Sequence, residues 1–502
     1  MRSLDCRWVP PALGLVAVLV SAPGMGIPSK WSDEAATTSG ATRSVGDLWV
    51  LVQNIDAVHA VYYAIMHVWV DVLGTSEIAM RSFSLLAIGL AAWGVAVLGR
   101  RLGGTPLMLA GALAFAVLPR VTWLAIEARS FALTVALAVW ATVVLLRVLG
   151  RWGVRWWILY AALMAFGIAV NIDVALLLPA HALTVALRWT QLERPLRSLI
   201  SLVGAGVLAV AAASPIVILA LGQSGQIGLS PLTPGYVASM FGISQYFSGA
   251  TPVRDRLVEF PPTSLWAIGA TLLAVVGWAL IVRGAWISRA RELVAVSVPW
   301  IVVPAVLLLG YSLVDNTYSA RYLSFTTPAA ALLLGAGVLS LAASRVRIAA
   351  IALVIVLAAP VYVAQRIPTG KQGTDWAQAA AIVEQNKQPG DSVYWGKQFG
   401  STAPGLTISR IGFAYPDAFD DLPSITRVAS AASTASLWGP DRFLRESTGR
   451  IKAADRIWVI GDHLGRPDSH TVRGSETFER LGLRLEQSWE GVATDVFLWV
   501  RD

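Results

Sequence analysis

Charge is scarce in this 502-residue chain, with only 14% of residues Asp, Glu, Lys or Arg. Ordinary soluble domains carry roughly a quarter, so a large soluble enzyme is excluded. Cysteine is nearly missing as well. The single one, Cys6, has no partner within the chain, so no internal disulfide staples any part of it. There is no repeat at solenoid spacing and no low-complexity tract. What fills the chain is apolar: 56% of residues are hydrophobic and the mean hydropathy is +0.62, the profile of an integral membrane protein. The net charge of +8 is then read as arginine retained in cytoplasmic loops rather than as a nucleic-acid surface.

Apolar runs long enough to cross about 30 Å of hydrocarbon number about eleven. They lie near 9–27, 77–98, 105–120, 130–148, 155–171, 173–189, 198–221, 264–282, 293–312, 323–343 and 346–364. The first, preceded by Arg2 and Arg7, resembles a signal peptide, but it lacks a clear cleavage site and reads as an uncleaved helix. Alternate connections hold Arg100 and Arg101; Arg147, Arg151 and Arg155; Arg188, Arg194 and Arg197; Arg283, Arg289 and Arg291; Arg345 and Arg347. These belong inside. The intervening connections hold Asp33, Glu34, Asp47, Asp56, Glu127, Asp173 and Asp315 and face outward. An odd number of spans puts everything after about residue 366 on that outer side too.

In the first outer loop, 28–76, the stretches DLWVLVQNI and AVHAVYYAIMHVWVDVLG are short and carry Asp47, Asp56, His59, His67 and Asp71. They read as amphipathic helices at the interface. Trp-rich stretches such as RWGVRWW read as interface anchors. From TGKQGTDWAQ onward the composition becomes that of a soluble domain. A helix capped by Thr374 or Asp375 leads through a Pro-Gly-Asp turn into a strand. RIWVIGDH and VATDVFLWVRD read as further strands, and SETFERLGLRLEQSW as a helix running into one. The expectation is a membrane domain over 1–365 and a small extracytoplasmic α/β domain over 366–502. The latter carries no phosphate fingerprint and no metal-ligand cluster, so its default role is recognition or support.

An acid pair just outside the first span, Asp33 and Glu34, has an ordinary reading as loop residues capping the next helix. It gains weight from its company. EARS places Glu127 and Arg129 at an outer mouth, and YSARYLSF places Arg321 and Tyr322 at another. Arginines on the outer side run against the usual bias, so each needs an anionic partner: a protein carboxylate, or the phosphate of a lipid-linked substrate held by paired hydrogen bonds. A carboxylate beside such arginines can take the proton of an attacking hydroxyl while an arginine stabilises a phosphate leaving group. Asn171 and Asp173 lie near an outer mouth and are cavity candidates. A single interfacial histidine such as His59 is more often a hydrogen-bonded structural residue than a metal ligand.

WSDEAATTSG, DAVHAVYYAIMHVW, GTSEIAMRSFS, GRRLGG, IEARSFAL and ARYLSFTTPA, in that order, resemble the polytopic membrane glycosyltransferases of the GT-C superfamily. The nearest resemblance is to a protein O-mannosyltransferase-like branch found in actinobacteria, over about residues 5–365. The resemblance implies a helical membrane fold of about eleven spans in the plasma membrane. It implies transfer of a sugar, usually mannose, from a polyprenyl-phosphate donor at the extracytoplasmic face, with inversion. It maps the catalytic base to Asp33 with Glu34 in support, the donor phosphate to Arg129 and Arg321, and the acceptor and sugar region to Asp56 and His59 beside Tyr62, with Glu127 in the E-x-R motif; Asp173 and Tyr322, placed at outer mouths, complete the expected substrate pocket. Two departures stand out: HAV at His59 to Val61 replaces a frequent HPP, and VNIDVA lacks a histidine many members carry there. A requirement for a divalent metal stays open. So does the acceptor, since protein, glycolipid and polysaccharide all offer hydroxyls.

A polyprenyl-phosphoarabinose donor is the nearest alternative. A lipid or solute transporter would show paired repeats and ionisable positions near the midplane, and a scaffold would leave Asp33 free to vary. The long outer segment 222–263, with a short helix expected at TPGYVASMFGISQYF, is expected to close over a substrate.

Overall fold

The computed structural model describes residues 7–223, 232–249, 264–287, 291–396, 408–463 and 475–502. Among these, seven helices of at least 18 residues are apolar enough to cross a membrane. One of them, Glu77–Val117, runs for 41 residues, which at about 1.5 Å per residue is twice the hydrocarbon thickness. It breaks at Gly103 and at Gly104, whose φ of +72° a side chain would resist, and Pro106 follows. The expected GRRLGG turn between two spans is therefore present as a break within one long run. Shorter apolar helices at Val9–Ser21, Val154–Val170 and Ile172–Leu187 coincide with three further expected spans.

The bundle is organised around Glu77–Val117, Phe131–Gly150 and Ala320–Leu339, whose apolar windows are two-thirds or more buried. Pro195–Gly222 and Ser344–Ala364 bury far less and present Val203, Val207, Ile351 and Ile355 outward, as helices facing lipid do. Close helix contacts depend on glycine. A Cβ on Gly335 would meet the backbone of Gly111 at 2.8 Å, and one on Gly337 would strike Leu280 O at 2.0 Å. Membrane helices associate largely through such backbone approach, because lipid gives apolar side chains no reason to prefer each other.

The first outer loop folds as three helices: Ser32–Ala41, Val45–Asn54 and Ala60–Leu73. The last two fall where amphipathic helices were expected, and 14 residues, about 21 Å, are too short to cross. Ser44 caps the second by accepting from Asp47 N at 3.1 Å. The first differs from expectation. Asp33 and Glu34 do not precede a helix as its caps; they form its first turn, with Trp31 at the cap position. Although written SDEAATTSGA, this acid helix is buried from Glu34 to Ala41, and its hydroxyls turn to backbone: Thr37 donates to Ala128 O at 2.9 Å and Ser39 to Leu437 O at 2.7 Å.

Beyond the last apolar helix, Gln365 and Lys371 are wholly buried against the bundle. The expected α/β unit follows, with a helix at Trp376–Asn386 and four strands: β1 Ser392–Trp395, β2 Arg456–Asp462, β3 Leu483–Trp489 and β4 Thr494–Arg501. Their order is β1-β2-β4-β3, with β1 parallel to β2 and the other pairs antiparallel. Asp375 occupies the cap position of the 376–386 helix, but its carboxylate serves a turn instead, accepting from the backbone N–H groups of Val492 and Ala493 at 2.7 and 2.9 Å. Of the 222–263 segment, Pro234–Val237 and Ala238–Ser248 are helical as expected; residues 224–231 and 250–263, where closure was expected, lie outside the described residues.

Candidate active site

Asp33 points from the first turn of the acid helix toward two arginines. Arg321 Nη1 lies 2.5 Å from Asp33 Oδ2, and Arg129 Nε 3.8 Å from the same oxygen. Arg129 also donates to the backbone carbonyl of Asp33 at 3.3 Å. Burial works against ionisation of Asp33, but Arg321 and then Arg129 outweigh it and hold the carboxyl below its usual range. Its side chain keeps 21% exposure and that of Arg321 25%, so the pair is reachable, whereas Arg129 is buried.

Arg321 belongs to a short turn of helix, Ala320–Thr326, that enters the bundle. Its guanidinium lies over the rings of Trp31, Phe131 and Tyr322 at 5.5, 5.8 and 5.7 Å. A flat, weakly hydrated cation suits an aromatic slot, which orients it without quenching its charge. Arg129 donates to His59 Nε2 at 2.5 Å. A guanidinium only donates, so Nε2 accepts and His59 carries its proton on Nδ1, which has no partner. Asp56, at φ +59°, accepts from Tyr63 OH at 2.7 Å, and Tyr63 in turn lies 3.5 Å from Arg129. The DAVHAVYY stretch thus builds the back wall behind Arg129.

Glu127 lies beneath, 2% exposed, with neither carboxylate oxygen hydrogen-bonded. Burial raises its pKa; Lys371 and Arg321 oppose this only in part. Tyr322 packs on Phe131 at 6.1 Å and is within electrostatic range of Asp173, whose own backbone N–H is capped by Asn171 at 3.0 Å.

Tyr62 is fully buried, with its ring 6.1 Å from that of Phe83, and lies within electrostatic range of Arg129 and Glu127. Glu34 turns inward: Arg81 binds both its oxygens at 2.9 Å, Ala128 N donates at 3.0 Å, and Lys371 Nζ stands 3.4 Å away. Burial would raise this carboxyl, yet Arg81, then Lys371, bring it down to about 2. Glu34 is an anchor for the acid helix with its lone pairs already engaged. Neither Arg81 nor Lys371 was singled out in the sequence. Arg81 gave a signal, a lone cation entering an apolar run within GTSEIAMRSFS, the kind of residue that needs a named partner. Lys371 gave none.

The cations around Asp33 suit an anion. Among the described residues no group of three or more His, Cys, Asp or Glu is placed to hold a metal ion, and His59, the residue considered for one, has its Nε2 engaged by Arg129.

A family model for dolichyl-phosphate-mannose-protein mannosyltransferase matches residues 59–219, a stretch that contains His59, Glu127, Arg129 and Asp173. No curated protein matches in sequence. In fold, the chain resembles ArnT from Cupriavidus metallidurans. The crystal structure bound to undecaprenyl phosphate matches with a TM-score of 0.57 and 15% identity over 98% of both chains. The apo structure matches with a TM-score of 0.59 and 14% identity over 99% of this chain and 98% of that one. The archaeal oligosaccharyltransferase AglB from Archaeoglobus fulgidus, in complex with an inhibitory peptide and a dolichol-phosphate, matches at 0.51 and 12% over 99% of this chain and 74% of that one. The chain therefore has the helical membrane architecture that its motifs led us to expect, with the small sheet domain at its C-terminus.

Proposed function

We propose that this chain, whose family match indicates a glycosyltransferase, moves a sugar from a polyprenyl-phosphate donor to a hydroxyl acceptor at the outer face of the plasma membrane. The observation that carries the reading is the reachable Asp33 carboxylate set between two arginines. Supporting it, one fold neighbour was crystallised with undecaprenyl phosphate and another was determined with a dolichol-phosphate.

In this reading Asp33 takes the proton of the acceptor hydroxyl as the oxygen bonds to the anomeric carbon from the face opposite the phosphate. The bond from that carbon to the phosphate oxygen breaks, and its electron pair leaves on the polyprenyl phosphate. Arg321, with Arg129 behind it, meets the growing charge on that leaving group. The configuration inverts. Glu127, whose buried carboxyl has neither oxygen hydrogen-bonded, is available to bond the sugar or acceptor. Asp56 and His59 act behind Arg129 by fixing its fork, and Asp173 and Tyr322 flank the opening.

Mannose is the sugar the family match favours; a pentose fits the same donor logic. The test is transfer by purified protein in nanodiscs, supplied with radiolabelled polyprenyl-phosphate mannose and a membrane extract, comparing wild type with Asp33→Asn. Label transferred by the wild type and lost in a folded variant supports the reading. Equal transfer by both removes Asp33 as the base, and transfer from polyprenyl-phosphate arabinose alone replaces the sugar.

A further inference from the structure

The acid helix cannot hold itself in place. Ten residues, all Ser, Ala, Thr or Gly except Asp33 and Glu34, are fewer than an isolated helix needs to persist in water, and its cap residue Trp31 makes no side-chain cap bond. Its position must come from what surrounds it, and much of what surrounds it is the C-terminal domain.

Ala35, fully buried, lies in the apolar core of that domain with Trp376, Trp395, Ile411 and Phe419. The next residue, Ala36, belongs to a different cluster with Tyr62, Tyr63 and Ala128 of the membrane part. The helix is therefore a shared element, one face in each core.

Its approach is gripped from the C-terminal side. Tyr415 OH accepts from Lys30 N at 2.7 Å, Lys30 Nζ donates to Ala414 O at 2.6 Å, and Arg410 donates to Ser32 Oγ at 2.9 Å. Its far end is gripped by the 431–438 segment: Ser39 donates to Leu437 O at 2.7 Å and Arg43 to Ser436 O at 2.5 Å. Below it, Lys371 sits wholly buried over the Trp123 ring at 4.6 Å, with its ammonium 3.4 Å from Glu34. Glu34 adjoins Asp33 in sequence, so a shift of one carries the other.

We propose that the C-terminal domain is a positioning element of the active site, holding the helix of Asp33 in register with Arg321 through Tyr415, Lys371 and the 431–438 segment. This rests on the reading of Asp33 as the base. It goes beyond recognition or passive support: without these contacts the carboxylate drifts from its arginines, and displacement of about 1 Å costs on the order of 10²-fold in rate. Lys371, Tyr415 and Ser39 act through Glu34 and the helix backbone.

The test uses the full chain in nanodiscs with two variants, Lys371→Met and Tyr415→Phe, and two readouts. Amide hydrogen exchange over residues 32–41 reports the helix directly, whether or not any sugar is transferred. Steady-state transfer separates kcat from the donor KM. Expected are faster exchange confined to 32–41 and, for Lys371→Met, a fall in kcat of about tenfold or more at a donor KM within about twofold, with Tyr415→Phe smaller in the same direction. Unchanged exchange over 32–41 in a folded variant overturns the proposal, as does a loss seen only in KM. Should Lys371→Met not fold, Tyr415→Phe decides alone. Should the wild type transfer no sugar, the functional reading fails and the exchange result still decides this one.

Discussion

Asp33 Oδ2 and Arg321 Nη1 stand 2.5 Å apart, so the group assigned to take a proton and the group assigned to hold a phosphate hold each other. On the proposed reading, a donor phosphate arriving at Arg321 competes with Asp33 for the same guanidinium. As it wins, the carboxylate loses the neighbour that most lowers its pKa and becomes a better base at the moment one is needed. Asp33→Asn is therefore expected to lower transfer by about 10²- to 10⁴-fold while binding polyprenyl phosphate as tightly as the wild type or more so. Turnover and lipid-phosphate titration on the same preparation check both halves.

Arg321→Lys keeps the charge and loses the fork and the flat face that lies over Trp31, Phe131 and Tyr322. A charge-assisted bond to phosphate is worth about 1.5–3 kcal/mol, so the donor KM should rise by about 10- to 100-fold. A lysine variant with wild-type KM would show that charge alone suffices there.

Glu34→Gln should destabilise the protein, because it leaves Arg81, wholly buried, facing a neutral amide. Breaking one side of such a pair costs about 3–5 kcal/mol. The triple variant Glu34→Leu, Arg81→Met and Lys371→Met, which removes all three buried charges, should recover a large part of that loss. Thermal melts of the three proteins in one detergent make the comparison.

Acid should erase part of the Glu34 contribution. The folded carboxyl sits at about 2 against an ordinary 4.5. A depressed carboxyl pKa contributes stability that is fully present above about pH 4.5 and is lost as pH falls toward 2. The gap in melting temperature between wild type and Glu34→Gln should hold constant from pH 7 to 5 and shrink below 4.5.

Glu127→Gln is expected to fold well, since neither carboxylate oxygen has a hydrogen bond to lose and burial already disfavours the charge. Its melting temperature should match or exceed that of the wild type, while sugar transfer falls. A strongly destabilised Glu127→Gln would instead make it a structural residue like Glu34.

Asp33 and Glu34 show how far reading from sequence alone reached and where it stopped. Both are marked by their place, two acids after an apolar run, and the arginines by falling in connections that otherwise hold the acids. Nothing in the letters could say that one acid faces Arg321 at a partly exposed position and the other closes on Arg81 in the interior. Adjacent residues on a helix point about 100° apart, and which one meets which cation depends on how the helix is rotated. Asp375 teaches the same lesson at smaller scale: its position before a helix was legible, but its carboxylate serves a turn more than a hundred residues away.

The sequence by itself determined the solvent of this protein and its apolar segments, because hydrophobic length acts locally along the chain. It also determined the sheet strands, whose alternation and flanking turns are local too. Tertiary structure decided the rest: the pairing of Asp33 with Arg321 across 288 positions, the reach of Lys371 to Glu34, and the sharing of one short helix between two cores. Those contacts join distant segments through burial and charge, and no spacing of residues in one segment encodes what the other will bring.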